Sequence, residues 1–187
     1  MGVIEPSEDV GRGVAYQVVH PDYRLNGPDG VHIVLPDQPN DFPNWLQREG
    51  IPEADFEGWA GTGAYFARRA DFGRYMAELF RGHQAVNDTG SDLTHIRARA
   101  MSLDIGTAST KVTLDNGQQL TARVAVLATS NERPAVPEPF QGDMRQHSGF
   151  LPDPWDSDRL ASLALDTPIL VPGTGLTAAD VITALAE

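Results

Sequence analysis

The chain has 187 residues, 41% hydrophobic and 21% charged, with no cysteine and a formal net charge of -12. That length can bury one good core, or one domain and part of another. The negative charge argues against nucleic acid or an anionic membrane as a partner, and the lack of cysteine excludes disulfides, a thiolate metal site and a redox-active Cys pair. No apolar run is long enough to span a bilayer, and no basic, apolar N-terminal signal is seen, so the expectation is a cytoplasmic protein.

In chain order, Met1 to Pro6 reads as the last residues of a strand, 10–19 as a glycine-rich loop and 21–39 as a turn-rich stretch. Phe42 to Arg48 is predicted as a short helix, with Asp41 as N-cap, Pro43 in the first turn and Gly50 just past the end. The strongest helix signal covers Asp71 to Arg81. There Phe72, Tyr75, Met76, Leu79 and Phe80 form one apolar stripe, with Asp71 to start the helix and Gly82 to stop it. A β-meander follows over Ile96–Ile105, Lys111–Leu114 and Leu120–Thr129, with Asp115-Asn116-Gly117 as a hairpin turn. Val124 to Ala128 is apolar throughout, as for a strand covered on both faces. Ser130 to Trp155 is proline-rich and aperiodic, a connection between two lobes.

Near the end, Pro168-Ile169-Leu170-Val171-Pro172 leads into Gly173-Thr174-Gly175-Leu176-Thr177-Ala178, and a helix-like stretch follows. The order of strand, G-x-G-x-x-A turn and helix is that of a dinucleotide-binding βα unit. Gly173 allows the tight turn, Gly175 lets backbone approach a pyrophosphate, and the helix N-terminus offers unpaired N–H groups. Thr174 and Thr177 can add hydroxyls to phosphate, or Thr177 can simply cap the helix. An ordinary βα turn is the other reading. Glu5 fits the acidic residue that ends a Rossmann strand and takes two hydrogen bonds from a ribose diol, or it is a solvated surface carboxylate. The five histidines form no metal-ligand spacing, and no G-x-S-x-G elbow occurs.

Val3-Ile4-Glu5-Pro6, Gly11-Arg12-Gly13-Val14-Ala15-Tyr16, Leu25-Asn26 and Phe42, Trp45, Leu46 together resemble the start of the FAD/NAD(P)-binding proteins related to flavin N-monooxygenases. The resemblance continues through Phe66-Ala67-Arg68-Arg69, Phe72-Gly73-Arg74-Tyr75, Val126-Leu127-Ala128-Thr129 and Asp153-Pro154-Trp155-Asp156. It closes on Gly173 to Asp180. The family's alanine-threonine-glycine motif reads Ala128-Thr129-Ser130 here, and its leucine-leucine-asparagine stretch reads Leu25-Asn26-Gly27-Pro28-Asp29.

The resemblance implies an α/β, Rossmann-like FAD/NAD(P)-binding fold with an inserted three-stranded β-meander, incomplete because the chain is cut at both ends. Residues 1–167 would be an FAD-type Rossmann domain lacking its first βα unit, and 168–187 the first βα unit of an NAD(P)H-type domain. Glu5 would hold the adenosine ribose of FAD. Arg12 and Arg68 or Arg69 would face its phosphates, or else make surface ion pairs. Backbone near Ala100 would meet adenine, and Thr129 would lie in the motif that closes over the flavin domain. Gly173, Thr174, Gly175, Leu176 and Thr177 would cradle the NAD(P)H pyrophosphate. The implied function is an FAD/NAD(P)-binding oxidoreductase of the monooxygenase-like kind, in which NAD(P)H reduces FAD for work on a small-molecule substrate. The alternative is a non-catalytic nucleotide-binding or protein-interaction module. An open strand edge would also favour a homodimer.

Overall fold

In a computed structural model the described residues are all of 1–187 except 18–19, 87–89, 130–135, 137, 139, 165 and 187. The chain divides into two compact units. Met1–Val14 with Gly73–Ser130 form the first, and Ala15–Phe72 with Asn131–Glu187 the second.

The first unit is built on two small sheets. Strand β1 (Gly2–Ile4) pairs in parallel with β2 (Thr94–Ile96), Val3 opposite His95. The ladder continues one residue on, where the Glu5 N–H donates to the Ile96 carbonyl at 3.1 Å. Parallel strands require a crossover, and helix α3 (Arg69–Ala85) lies within it. Strands β3 (Ala100–Ile105), β4 (Thr110–Leu114) and β5 (Gln119–Ala122) form an antiparallel meander in that order. Ala98, Val112 and Leu114 are its buried centre, with Ile4, Ile96, Leu103 and Leu120 packed around them.

The hairpin between β4 and β5 follows its sequence signal. Gly117 takes φ +82°, the left-handed conformation that glycine tolerates best, and its N–H donates to the Leu114 carbonyl at 3.0 Å. The Asn116 side-chain oxygen accepts from the Gln118 N–H at 2.9 Å, and Asp115 accepts from the Arg99 N–H at 3.1 Å.

In the first unit three expectations are corrected. The first predicted meander strand is split, because Ile96 belongs to the parallel ladder and only Ala100–Ile105 to the meander. Pairing on β5 ends with Ala122 opposite Thr110, so 124–129 has no ladder to join and carries no strand. Val126 there is 82% exposed. Helix α3 also runs past Gly82 to Ala85. Glycine inside a helix costs only about 1 kcal/mol, and three further helical residues offset it.

The second unit contains α1 (Asp41–Arg48), the single turn α2 (Ile51–Ala54), α4 (Ser157–Ala161) and α5 (Leu176–Leu185). Helix α1 forms as predicted, although Asn40 rather than Asp41 precedes it. Gly50, at φ +66°, turns the chain into α2. Phe42, Trp45 and Leu46 are its buried face. Phe42 meets the Phe72 ring edge-on at 4.9 Å, and Tyr16 meets Phe72 at 4.8 Å. Tyr23–Leu25 runs antiparallel to Ala67–Arg69 through an Arg24–Arg68 bridge, with the Leu25 N–H donating to the Ala67 carbonyl at 2.9 Å. The predicted strand at Pro168–Pro172 is absent. Those residues are extended without a ladder, and Leu170 is 82% exposed.

Candidate functional site

Glu5 stands at the carboxyl end of β1, where ligands of parallel α/β sheets bind. Its Oε1 accepts from the Ser7 N–H at 2.9 Å, and its carbonyl is bonded to His95 Nε2 at 2.9 Å. These bonds fix backbone and carboxylate while, among the described residues, the second carboxylate oxygen has no partner. After Glu5 comes the Gly11-Arg12-Gly13 loop. Gly11 is at φ +95°, and a Cβ there would come within 3.3 Å of Met76 on α3. Its glycine therefore lets the loop lie against the helix. Gly13 is at φ +56° with open space around it.

Arg12 pairs with Asp9 at 2.9 Å, and Asp9 also takes Arg81 at 3.3 Å. The Arg12 Nε is buried without a hydrogen-bond partner among the described residues. A buried donor left unmatched is unfavourable, and a phosphate oxygen is the kind of acceptor that would satisfy it. Ala100 is the exposed first residue of β3, opposite Leu114 at a bulge, and Thr129 lies in the exposed segment after β5. The Ser130 of the Ala128-Thr129-Ser130 motif lies outside the described residues, as do Val18 and Val19 of the glycine-rich loop.

The profile of a protein family described as FAD-NAD(P)-binding matches residues 1–132. The chain belongs to that family. No curated protein matches it. An FAD/NAD(P)-binding domain of α/β class is therefore established, and its matched segment holds Glu5, Arg12, Arg68, Ala100 and Thr129. Among the described residues no helix is long and apolar enough to cross a membrane.

The remaining candidates lie in the second unit. Gly173 takes φ +140°, and Gly175 caps α5 at φ -79°, ψ -178°. A Cβ at either position would meet nothing within 4 Å. Gly173 is required by its own backbone. Gly175 is not, because any residue adopts its φ and nothing in the chain crowds it. No side chain caps α5, so Thr177 does not act as a cap, and the amides of Leu176 and Thr177 have no intrahelical acceptor. Gly173 through Thr177 are all exposed.

Arg68 lies in a cluster that local sequence patterns do not reveal. Asp55, 4% exposed, is gripped by both terminal nitrogens of Arg24, with Nη2 at 2.9 Å. It also accepts from Tyr65 Oη at 2.8 Å and Arg68 Nη2 at 3.2 Å. Burial alone would raise the Asp55 carboxyl, but bonds from Arg24 and Tyr65 and the charges of Arg24 and Arg68 outweigh it and hold it below its ordinary range. Burial, then the bond to Asp55, raises the Tyr65 phenol. The Arg68 Nε is buried without a partner among the described residues. Arg69 pairs instead with Asp180 of α5. Asp55 lies 31 residues from Arg24 and was invisible to local patterns.

Proposed function

We propose that the chain is the nucleotide-binding part of a flavin-dependent oxidoreductase of the monooxygenase-like kind, using FAD and NAD(P)H, with NAD(P)H as the reductant of FAD and a small molecule as substrate. The observation that carries this reading is Glu5. It is a half-buried carboxylate at the end of a parallel strand, anchored through one oxygen and unbonded at the other among the described residues, inside the family-matched segment. A carboxylate so placed can accept from a ribose hydroxyl. The unmatched Arg12 Nε in the loop that follows it supports a phosphate contact, and backbone at Ala100 and Thr129 completes the FAD contacts we assign to 1–167.

The Gly173–Thr177 turn, at the start of 168–187, is assigned to the NAD(P)H pyrophosphate. Gly175 supports this, since neither its φ nor its surroundings demand glycine, whereas close approach of a phosphate to the backbone does. The free amides at the start of α5 supply donors and the helix dipole favours an anion. When bound, the flavin supplies the redox chemistry, and the protein supplies binding and orientation.

Thermal unfolding with and without added dinucleotide tests the assignment. Both FAD and NADPH are expected to raise the transition temperature, as any ligand specific to the folded state does. Gly175→Val is expected to abolish the NADPH response and leave the FAD response intact. A chain that responds to neither dinucleotide would remove the reading, and an unaltered NADPH response in Gly175→Val would remove the assignment of the turn.

A further inference from the structure

Helix α5 follows the glycine turn, yet little of its apolar surface is buried where it seats. Leu176 and Ile182 are exposed, and its buried residues are Ala178, Asp180 and Val181. A buried carboxylate is unfavourable unless it is paired. Asp180 Oδ2 lies 2.9 Å from Arg69 Nη1, an ion pair by distance although Oδ2 meets no hydrogen-bond geometry among the described residues, and the two side chains are only 11% and 12% exposed. Arg69 is itself held from several directions. Its N–H donates to the Tyr23 carbonyl at 2.8 Å, and its Nε donates to the Arg24 carbonyl at 2.8 Å. Its guanidinium carbon lies 5.9 Å from the Tyr23 ring centre and 5.4 Å from that of Trp155. Tyr23 and Trp155 meet edge-on at 5.8 Å, so the cation rests in an aromatic corner.

A fixed cation is thus presented to α5 five residues after Gly175, about a turn and a half into the helix. A pair this buried adds little net stability compared with apolar packing, so its effect is chiefly on placement. We propose that Asp180 is a positioning residue for dinucleotide binding. Its ion pair with Arg69 seats α5 and so holds the amides of Leu176 and Thr177, and the turn before them, ready for a pyrophosphate. This rests on the assignment of that turn to NAD(P)H. Burial raises the Asp180 carboxyl, and the charge and N–H groups of Arg69 offset that only in part. The role occupies Arg69 with α5, not with a flavin phosphate.

Asp180→Asn keeps the shape and removes the charge. Two measurements on the full chain, under conditions where circular dichroism is native, decide the matter. Amide hydrogen exchange in 176–185 is expected to accelerate on the order of tenfold or more while exchange in β3–β5 stays unchanged. The NADPH dissociation constant is expected to rise about tenfold. If Asp180→Asn does not fold, Asp180→Asn with Arg69→Met leaves no unpaired charge, and the same two results are expected of it. Unchanged exchange in α5, or faster exchange with unchanged NADPH affinity, overturns the proposal. Failure of the underlying assignment looks different. In that case the wild-type chain binds no NADPH, or Gly175→Val binds it normally.

Discussion

Asp55→Asn isolates the charge at the centre of the buried cluster. The amide has the same shape, but it cannot serve Arg24, Arg68 and Tyr65 as the carboxylate does, and it leaves two cations without their counter-charge. Breaking a fully buried pair costs about 3–5 kcal/mol. Arg24 and Arg68 retain 20% and 35% side-chain exposure, so water recovers part of the loss and the low end, about 3 kcal/mol, applies. For a chain of this size that is a fall of about 6–12 °C in transition temperature. The pH dependence has a definite sign. The folded-state pKa of Asp55 lies below its ordinary value of 3.8. As pH falls, the unfolded chain takes up the proton first. The stabilisation is therefore complete above pH 3.8 and is lost as pH drops through the folded value. Urea unfolding of both proteins from pH 7 downward should show a gap of about 3 kcal/mol that is constant near neutrality and narrows in acid. A gap below about 1 kcal/mol at pH 7, the level of an exposed ion pair, refutes the assignment of Asp55 as the buried hub.

Three further perturbations follow from the geometry. In Gly58→Ala the new Cβ would lie 2.3 Å from Tyr65 Cε2 and 2.9 Å from Arg24 Nη1, so the ring bonded to Asp55 must move. A destabilisation of about 2 kcal/mol is expected, and thermal unfolding indistinguishable from wild type would show that this contact is relieved freely. Glu5→Gln keeps an acceptor for Ser7 but loses the charge, so FAD affinity, measured by quenching of flavin fluorescence, should fall by about 1.5–3 kcal/mol, roughly ten- to a hundredfold. Unaltered affinity would take the ribose away from Glu5. Arg12→Gln breaks a half-exposed pair with Asp9 worth about 0–1 kcal/mol, so it should weaken FAD binding far more than it lowers stability. The opposite ranking would make Arg12 a structural residue.

Much of this was legible in the sequence wherever the signal was local. The α1 and α3 stripes and the Asn116-Gly117 turn declare themselves within a few residues, and the matching elements form. The apolar run at 124–128 was equally loud, but a strand exists only with a partner, and pairing partners are not written in the run itself. The same holds for Pro168–Pro172, while the helix behind it, stabilised by its own i→i−4 bonds, forms regardless. Asp55 is harder still. Nothing near it marks a buried acid, and its partners come from Arg24, Tyr65 and Arg68 along the chain. Arg68 and Arg69 are adjacent and look alike, yet one turns to Asp55 and the other to Asp180. Only the neighbours brought by folding distinguish them.

FAD binding by this chain is tested most directly by its visible spectrum. The purified chain is incubated with FAD, passed through a desalting column and scanned. Flavin absorbance is expected to co-elute with the protein and to be lost in large part from Glu5→Gln. A colourless wild-type protein after the column would contradict FAD binding.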